Sequence, residues 1–555
     1  MQCSAVHSSH RASVLVVALG TRGDVQPLLL LARALLASAR VRFATHDRYA
    51  DAFDFTSIEL IRVASDPLRP AADVCVEYAP IVRSCSASPP HLVIFNLFSL
   101  GAWHLAERHG AATVAVSPCT IPYEHPASFS AAFAAHSPKL HARLLASPPG
   151  CVSWRDVTHW LWPLWTERWS KLRHVLGVPP VPLEDVQDLP RPTPLVYAIA
   201  SRLLPRLSYW PPAVRVLGSF CFDDAEPTGV DERTGRGGGA MAWLGASDTR
   251  KPLYVGFGSS SELLLRAADE DQSPCEEADE DQSPCEETCD AARVCSSSLA
   301  VVVLVAALDA SRASRCPLML HCCGCALLLD CWQRQLLDRA TPSTADEGSA
   351  AVGSWEGGSR RFACTPDRVD VLLVSGFLPL ARVLPRCLAA LHHGGSGTCA
   401  TAARTATPQL ILPLVFDQPG NAERLQHLGV AAALSRRTLS ATGLVEALGW
   451  LTAAEAQRAR EALSAQVTRE EGLPQTLALV LAELERCTEA RREAVGMAQR
   501  RSEQRQGRSE ARAADAEGDG ARARWGGAAL LEAAQRWRRK REREEPAPEP
   551  EPEAA

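Results

Sequence analysis

This chain of 555 residues lacks several features that would identify a class of protein at once. No apolar run reaches the roughly 18 residues that a membrane-spanning helix needs, because the longest candidates, 301–308 and 318–329, are short or interrupted. The net charge of −6 provides no basic field for nucleic acid. We therefore expect a soluble, cytoplasmic protein with no nucleic-acid partner, and peripheral contact with a membrane surface stays open as an alternative.

Cysteine occurs nineteen times, but its spacing matches neither a disulfide framework nor a zinc site. Most of the cysteines lie in apolar runs such as VLPRCLAALHH and PLMLHCCGCALLL. Such runs favour reduced thiols in the cytosol. The HCCGC stretch (321–325) has crowded thiols and no partner pair at zinc spacing. We interpret it as part of a buried strand and predict no metal site there.

Short apolar runs alternate with amphipathic stretches along most of the chain. A helix is predicted over 25–39, and parallel strands are predicted at SVLVVAL (13–19), VRFATH (41–46), HLVIFN (91–96) and TVAVSP (113–118). A second series of this kind begins near residue 214 and includes PLYVGFGSS (252–260). The pattern predicts an α/β fold of two Rossmann-like domains, with ligands bound in a cleft beyond the carboxyl ends of the strands.

The predicted organisation has three parts: an N-terminal domain, a C-terminal domain and a charged helical or disordered tail, over residues 1–213, 214–484 and 485–555. Two insertions in the second domain, about 266–297 and 333–360, are predicted to be disordered. The first contains ADEDQSPCEE twice in succession, from 268 to 287. This repeat is acidic and poor in apolar residues, which favours disorder.

Residues 391–424 read LHHGGSGTCATAARTATPQLILPLVFDQPGNAER. A glycine-rich turn that opens a helix directs free N–H groups and the positive end of the helix dipole outward, which suits a phosphate. HHGGSGT is neither a P-loop nor G-x-G-x-x-G, so neither ATP nor NAD is the expected ligand. The first strand is also not followed by G-x-G-x-x-G, and an NAD-dependent enzyme is therefore set aside.

Two motifs in this order, GTRGDVQPLLLLARAL (20–35) and HHGGSGT…DQPGNAER, resemble the sterol 3β-glucosyltransferases. These belong to the UDP-dependent, inverting glycosyltransferases of GT-B fold. FATHDRYADAF (43–53), YAIASRLLPRLSYWPPAVRVLGSF (197–220) and GFLPLARVLP (376–385) extend the similarity. The resemblance implies a C-terminal domain that binds UDP-glucose and an N-terminal domain that binds a sterol or another hydrophobic acceptor.

The resemblance also implies which residues bind the donor. The diphosphate would lie over the helix that begins at HHGGSGT, the two residues Asp417 and Gln418 would bind sugar hydroxyls, and the loop 375–385 would bracket the uracil. Backbone N–H groups and a histidine would offset the charge on the leaving UDP, so that no metal or other cofactor is required. The donor-binding residues implied in this way are Ser259, Ser260, His393, Gly395, Ser396, Gly397, Thr398, Asp417 and Gln418.

Asp24, the acid of GTRGD, is implied as the catalytic base that removes the proton of the acceptor hydroxyl. Direct attack by that hydroxyl would invert the anomeric centre and give a sterol β-glucoside. A first-turn acid that only caps its helix is the alternative for this residue. Two alternatives for the protein also stay open: the same chemistry on another lipid or secondary metabolite, and a non-catalytic relative that binds a nucleotide or lipid.

Overall fold

The computed structural model describes residues 11–51, 53–67, 73–120, 125, 127–165, 167–178, 191–220, 238–246, 250–265, 298–340, 358–364 and 369–519. Within these ranges the strands form two seven-stranded sheets. The predicted insertion 266–297 lies outside the described residues, as does the tail beyond residue 519.

The first sheet is parallel throughout, in the order β3-β2-β1-β4-β5-β6-β7. Its strands are β1 (Ser13–Val17), β2 (Arg40–His46), β3 (Glu59–Val63), β4 (Leu92–Phe95), β5 (Ala112–Ser117), β6 (Leu195–Tyr197) and β7 (Val214–Val216). The accompanying α-helices are α1 (Arg22–Leu35), α2 (Val74–Ala87), α3 (Ala102–His109), α4 (Ala127–His136), α5 (Pro138–Leu145), α6 (Trp154–Asp156) and α7 (Glu167–Leu176).

The second sheet has the order β10-β11-β9-β8-β12-β13-β14, and only β10 runs antiparallel to its neighbour. Its strands are β8 (Leu253–Gly256), β9 (Leu318–His321), β10 (Ser359–Cys364), β11 (Val369–Val374), β12 (Ala389–His392), β13 (Gln409–Ile411) and β14 (Ala431–Ala433). The α-helices that follow are α8 (Gly238–Ala246), α9 (Leu299–Ser314), α10 (Ala326–Leu337), α11 (Leu380–Val383), α12 (Ser396–Arg404), α13 (Gln418–His427), α14 (Ala441–Leu451), α15 (Ala454–Thr468) and α16 (Gly472–Asp519).

Both faces of each sheet are buried, which explains why the strands read as nearly continuous apolar runs. In β1, Val14 and Val16 pack in one apolar cluster, and Leu15 and Val17 pack in another on the opposite face. All four side chains are fully buried. The α/β fold with two parallel-sheet domains, predicted from this pattern, is therefore confirmed.

The tryptophan-rich stretch after residue 153 is helical but irregular. Helix α6 continues into a π-helical segment (Val157–Leu161) and a 3₁₀ turn (Trp162–Trp165) before α7 begins. The break falls at Pro163, where the missing N–H and the ring prevent a regular helix. Trp160 is fully buried within the apolar cluster of the first domain.

The chain returns to the first domain after it has completed the second. Val480 and Leu484 of α16 pack in the same cluster as Val14 and Val16. The thiol of Cys487 donates a hydrogen bond to the carbonyl of His91, with Sγ and O 2.8 Å apart. Both domains and this return segment form one compact unit that ends at Cys487, and the chain from Thr488 is a second unit.

Three predicted boundaries need correction. Residues 214–216 form β7 and pair with β6, so the first domain extends past the predicted limit at 213. The predicted insertion 333–360 is shorter, because residues 333–337 complete α10 and residues 359–360 begin β10. The predicted start of the tail at residue 485 is too early, because it lies inside α16 and the buried face of that helix continues to Cys487. Residues 341–357 lie outside the described part of the chain.

None of the helices in the described ranges combines the length and the apolar character that crossing a bilayer requires. Twelve of the described cysteines are free thiols, among them Cys119, Cys322 and Cys323. Cys331 is disulfide-bonded, which the sequence pattern did not predict.

Two backbone segments lie very close together at Gly472, where α16 begins and the chain returns to the first domain. A Cβ atom at this position would lie 2.2 Å from the carbonyl oxygen of Gly218. We expect Gly472→Ala to lower the free energy of unfolding by about 1–3 kcal/mol, because the two segments must separate. Gly449→Ala in α14, where a Cβ meets nothing within 4 Å, is the matched control and should be neutral or slightly stabilising. Denaturant unfolding measures both, and equal stability of the two variants would contradict this contact.

Candidate functional site

A cavity of about 590 Å³ lies at the carboxyl ends of the strands of both sheets. The first domain contributes the turns that follow β1, β4 and β5, and the second contributes the turns that follow β8, β9, β12 and β13. Every predicted site residue lines this cavity: Asp24, Ser259, Ser260, His393, Gly395, Ser396, Gly397, Thr398, Asp417 and Gln418. Their individual roles stay predictions.

Asp24 occupies the third position of α1 and is fixed there by its own turn. Its Oδ2 accepts hydrogen bonds from the N–H and the hydroxyl of Thr21, both at 2.8 Å. The thiol of Cys119, from the turn after β5, donates to Oδ1 at 3.5 Å. The carboxylate therefore caps its helix and also faces the cavity, so the two interpretations of this residue are compatible.

The pKa of Asp24 is raised to about 6, chiefly because the carboxyl group is buried. Hydrogen bonds from Thr21 lower the pKa and the negative charge of Asp417 raises it. Helix capping alone would be expected to keep the carboxyl acidic. A carboxylate with a pKa close to neutrality can accept a proton from a bound hydroxyl, which is the property a general base requires.

His46 supports the turn that carries Asp24 rather than facing the cavity. Its Nε2 accepts from the N–H of Gly20 at 2.9 Å, and its Nδ1 lies 2.7 Å from the carbonyl oxygen of Ser65. This pair of contacts requires the tautomer with the proton on Nδ1. Burial lowers the pKa of His46, so the ring is held neutral.

The glycine-rich turn brings His393 against the beginning of α12. A Cβ on Gly395 would lie 2.4 Å from Nε2 of His393, so only glycine allows this approach. Burial lowers the pKa of His393 to about 4, and its Nδ1 has no hydrogen-bond partner in the described part of the chain. A neutral imidazole beside a helix N-terminus offers one N–H donor to an anionic ligand.

Asp417 and Gln418 are held by local hydrogen bonds. Oδ2 of Asp417 accepts from the hydroxyl of Ser396 at 2.7 Å and from the amide of Asn421 at 3.0 Å. The side-chain oxygen of Gln418 accepts from the N–H groups of Leu414 and Val415. Its amide nitrogen lies 3.5 Å from the hydroxyl oxygen of Ser260. The oxygen of Gln418 is therefore used in the turn, while Asp417 connects that turn to α12.

Three further residues of the cavity were not assigned from the sequence. Cys119 contacts Asp24, and Arg22 contacts rings from both domains. His321, the first residue of HCCGC, accepts from the hydroxyl of Tyr254 and donates to the carbonyl of Gly376, both at 2.8 Å. Arg22 was within the GTRGD motif, but no local pattern in the sequence indicates which rings it meets.

Two regions of the chain match models of known protein families. Residues 14–74 match the N-terminal domain of glycosyltransferase family 28, and residues 359–484 match the C-terminal domain described as erythromycin biosynthesis protein CIII-like. The first match contains Asp24, and the second contains the turn at His393 and Asp417. Each matched region thus contributes part of the cavity lining, and other lining residues, among them Cys119 and Ser259, lie outside both matches.

Sterol 3-beta-glucosyltransferases are among the similar curated proteins. The Cryptococcus neoformans protein is 22% identical over 84% of this chain and 27% of its own length, and the Komagataella phaffii protein is 21% identical over 87% and 35%. The chain therefore spans about a third of the length of these relatives or less. The 3-alpha-mycarosylerythronolide B desosaminyl transferase of Saccharopolyspora erythraea is 44% identical, but over 12% of this chain and 16% of its own length.

Solved structures of glycosyltransferases share the fold. SnogD from Streptomyces nogalater has a TM-score of 0.50 at 17% identity and covers 86% of this chain and 100% of its own. VinC in complex with DTDP has a TM-score of 0.50 at 18% identity and covers 85% and 100%. The protein has the GT-B fold. The resemblance of its sequence to glycosyltransferases, among them the sterol 3-beta-glucosyltransferases, is confirmed.

Burial of Asp24 makes stability depend on pH in a defined direction. Its pKa is about 6 in the folded chain, against an ordinary value of 3.8, so the folded state binds the proton more tightly. Stability from this group is complete below the ordinary pKa and is lost as the pH rises through 6. Asparagine does not titrate. We therefore expect the free energy of unfolding of Asp24→Asn, relative to that of wild type, to be about 2 kcal/mol higher at pH 7.5 than at pH 4.5.

Denaturant unfolding at the two pH values measures this difference. Asp51→Asn, at an exposed acid of the same domain, is the control and should show no such gain. A constant difference between wild type and Asp24→Asn at both pH values would show that the folded carboxyl has an ordinary pKa.

Proposed function

We propose that the protein is an inverting glycosyltransferase that moves glucose from UDP-glucose to the hydroxyl of a sterol. One observation carries the proposal: a buried acid of the first domain, Asp24, and the N-terminus of α12 in the second domain line the same cavity. A group-transfer reaction between a phosphate-linked sugar and a hydroxyl requires a base on one side and an anion site on the other.

In the proposed reaction, the acceptor hydroxyl transfers its proton to Asp24 as its oxygen attacks the anomeric carbon. The bond from that carbon to the phosphate oxygen breaks, and its electron pair leaves with UDP. Attack from the face opposite UDP converts an α-linked donor into a β-glucoside. Oδ1 of Asp24 is the oxygen proposed to take the proton, since Oδ2 already accepts two hydrogen bonds from Thr21, whereas Oδ1 accepts the longer one from the thiol of Cys119.

Negative charge grows on the diphosphate as this bond breaks. The N–H groups at the start of α12, the neutral His393 and the hydroxyl of Thr398 are proposed to stabilise it. Asp417 is proposed to accept a hydrogen bond from a sugar hydroxyl, and Ser259 and Ser260 to contact the phosphates. The proposed reaction uses no metal and no other cofactor, because these donors supply the charge stabilisation.

A hydrophobic acceptor is supported by the residues that line the first-domain side of the cavity: Pro67, Phe98, Pro118 and Phe220. The similar sterol 3-beta-glucosyltransferases of two fungi support a sterol in particular. Since a sterol is a membrane lipid, the proposal includes a cytoplasmic protein that contacts a membrane surface peripherally. The local identity to a desosaminyl transferase supports a second candidate, in which the same chemistry acts on a secondary metabolite.

The first experiment is transfer by the purified chain, with UDP-glucose and a mixed sterol and lipid extract, followed by mass spectrometry. We expect a hexosyl-sterol that forms equally in EDTA. Asp24→Ala should lower the rate by roughly 10²–10⁴-fold, the usual contribution of a general base, while UDP binding persists. Asp51→Ala is the control.

Other outcomes of this experiment separate the alternatives. UDP binding without product would favour another acceptor or a non-catalytic relative that binds a nucleotide. Absence of both product and UDP binding would favour the non-catalytic alternative. Loss of product in EDTA would contradict the metal-independent mechanism, and wild-type turnover by Asp24→Ala would contradict the assignment of the base.

His393→Ala tests the anion site. A hydrogen bond to a charged group contributes about 1.5–3 kcal/mol, so UDP affinity should fall roughly 10- to 100-fold. Turnover should fall with it, because the same N–H would stabilise the leaving group. Calorimetry measures the affinity, and His427→Ala, at an exposed histidine of α13, is the control. Unchanged UDP affinity in His393→Ala would remove this residue from the donor site.

A further inference from the structure

Arg22, the first residue of α1, reaches aromatic rings of both domains. Its guanidinium carbon lies 4.7 Å from the ring centre of Phe53 in the first domain and 4.2 Å from that of Phe377 in the second. Its Nε donates to the side-chain oxygen of Gln26 at 3.3 Å, one helical turn further along α1. Arg22 and Phe377 both line the cavity. The guanidinium therefore forms a contact across the cleft.

Phe377 belongs to the segment 375–385, which the sequence resemblance assigns to the nucleobase of the donor. His321 of the second domain holds the start of this segment in place, because its Nε2 donates a hydrogen bond to the carbonyl of Gly376 at 2.8 Å. His321 itself accepts from the buried hydroxyl of Tyr254. The loop thus has a rigid attachment on the side of its own sheet, and Arg22 supplies a contact from the opposite domain.

The charges around this contact are compatible with a cation over an aromatic face. The pKa of His321 is lowered to about 4, chiefly because the ring is buried; the hydrogen bond to Gly376 raises it and the charge of Arg22 lowers it. Burial raises the pKa of the neighbouring Cys323 thiol, against a smaller effect of Arg22. Both groups are neutral, so neither places a second charge beside the guanidinium of Arg22. A guanidinium or an ammonium group can lie over an aromatic face, but only the planar guanidinium also stacks on it.

Arg22 and Asp24 lie in the same first helical turn, and Asp24 is fixed to that turn by Thr21. Anything that holds Arg22 against Phe377 therefore also sets the position of Asp24 relative to the donor loop. We propose that Arg22 is a positioning residue that couples the nucleobase loop of the second domain to the proposed base of the first. The link to the base rests on the proposed function; the contact between Arg22 and the loop does not.

A cation–π contact changes an equilibrium constant by roughly 2-fold at an exposed site and by roughly 30-fold at a desolvated site. We expect the contact between Arg22 and Phe377 to change donor binding within this range. The contact should keep the loop ordered without a ligand and should favour the closed cleft when the donor binds. Its loss should weaken donor binding, because an open loop must be ordered on binding. Loss of the contact should also slow transfer, because Asp24 is then less well aligned.

The experiment compares four variants of the full chain: Arg22→Gln, Arg22→Lys, Phe377→Leu and the double variant Arg22→Gln/Phe377→Leu. Phe377→Tyr keeps the ring and is the conservative control, and Arg83→Gln, at an exposed residue of α2, is the control for charge. Hydrogen exchange of residues 375–386 in the absence of ligand is the first measurement. Calorimetric affinity for UDP and the separate values of kcat and KM for UDP-glucose follow.

We expect Arg22→Gln and Phe377→Leu each to accelerate exchange in the loop and to weaken UDP binding by roughly 2- to 30-fold. Arg22→Lys keeps the charge but not the planar stack, so its effects should be smaller. The double variant should be no worse than either single variant, since each removes the same contact. KM for UDP-glucose should rise and kcat should fall. A variant that only folded less completely would contain less active protein, and its KM for UDP-glucose would be unchanged. Phe377→Tyr and Arg83→Gln should behave like wild type.

Unchanged loop exchange in Arg22→Gln, or additive effects in the double variant, would overturn the inference whether or not the protein transfers glucose. If the loop responds as expected but no acceptor is glucosylated, the contact stands, and the proposed function and the coupling to a base both fail.

Discussion

Parallel strands end at one edge of a sheet, and this constraint determines where every residue of the site lies. β1 ends just before the turn that carries Asp24, β8 before Ser259, β12 before His393 and β13 before Asp417. Because the two sheets direct these edges toward a shared cavity, groups separated by almost 400 residues of chain become neighbours. The return of α16 to the first sheet closes the arrangement within a single compact unit.

Burial in this compact unit also sets the charge states of the residues in the site. Burial raises the pKa of both Asp24 and Asp417, and the negative charge of Asp417 raises the pKa of Asp24 further. Burial also keeps His393 neutral, so its proton is available as a hydrogen-bond donor but brings no positive charge. An unliganded site of this kind is held at some cost in stability, and such costs are typical of catalytic and binding sites.

Much of the fold and the position of the site could be predicted from the sequence. Continuous apolar runs predicted β1, β2 and the two-domain α/β architecture, and the glycine-rich turn predicted the start of α12. The limit at residue 213 was wrong, because β7 has the pattern of any short strand and only its pairing with β6 assigns it to the first sheet. The role of HCCGC in supporting the loop at Gly376 was likewise out of reach, since a local pattern does not indicate hydrogen-bond partners.

The sequence by itself therefore determined the strands, the helix starts and the chemistry available at each turn, because periodicity and turn chemistry act over a few residues. Only the tertiary structure decided which side chains share the cavity, that Asp24 is desolvated enough to raise its pKa, and that Arg22 meets Phe377 across the cleft. Desolvation and contacts between domains depend on atoms brought together from distant parts of the chain, and no local pattern encodes them.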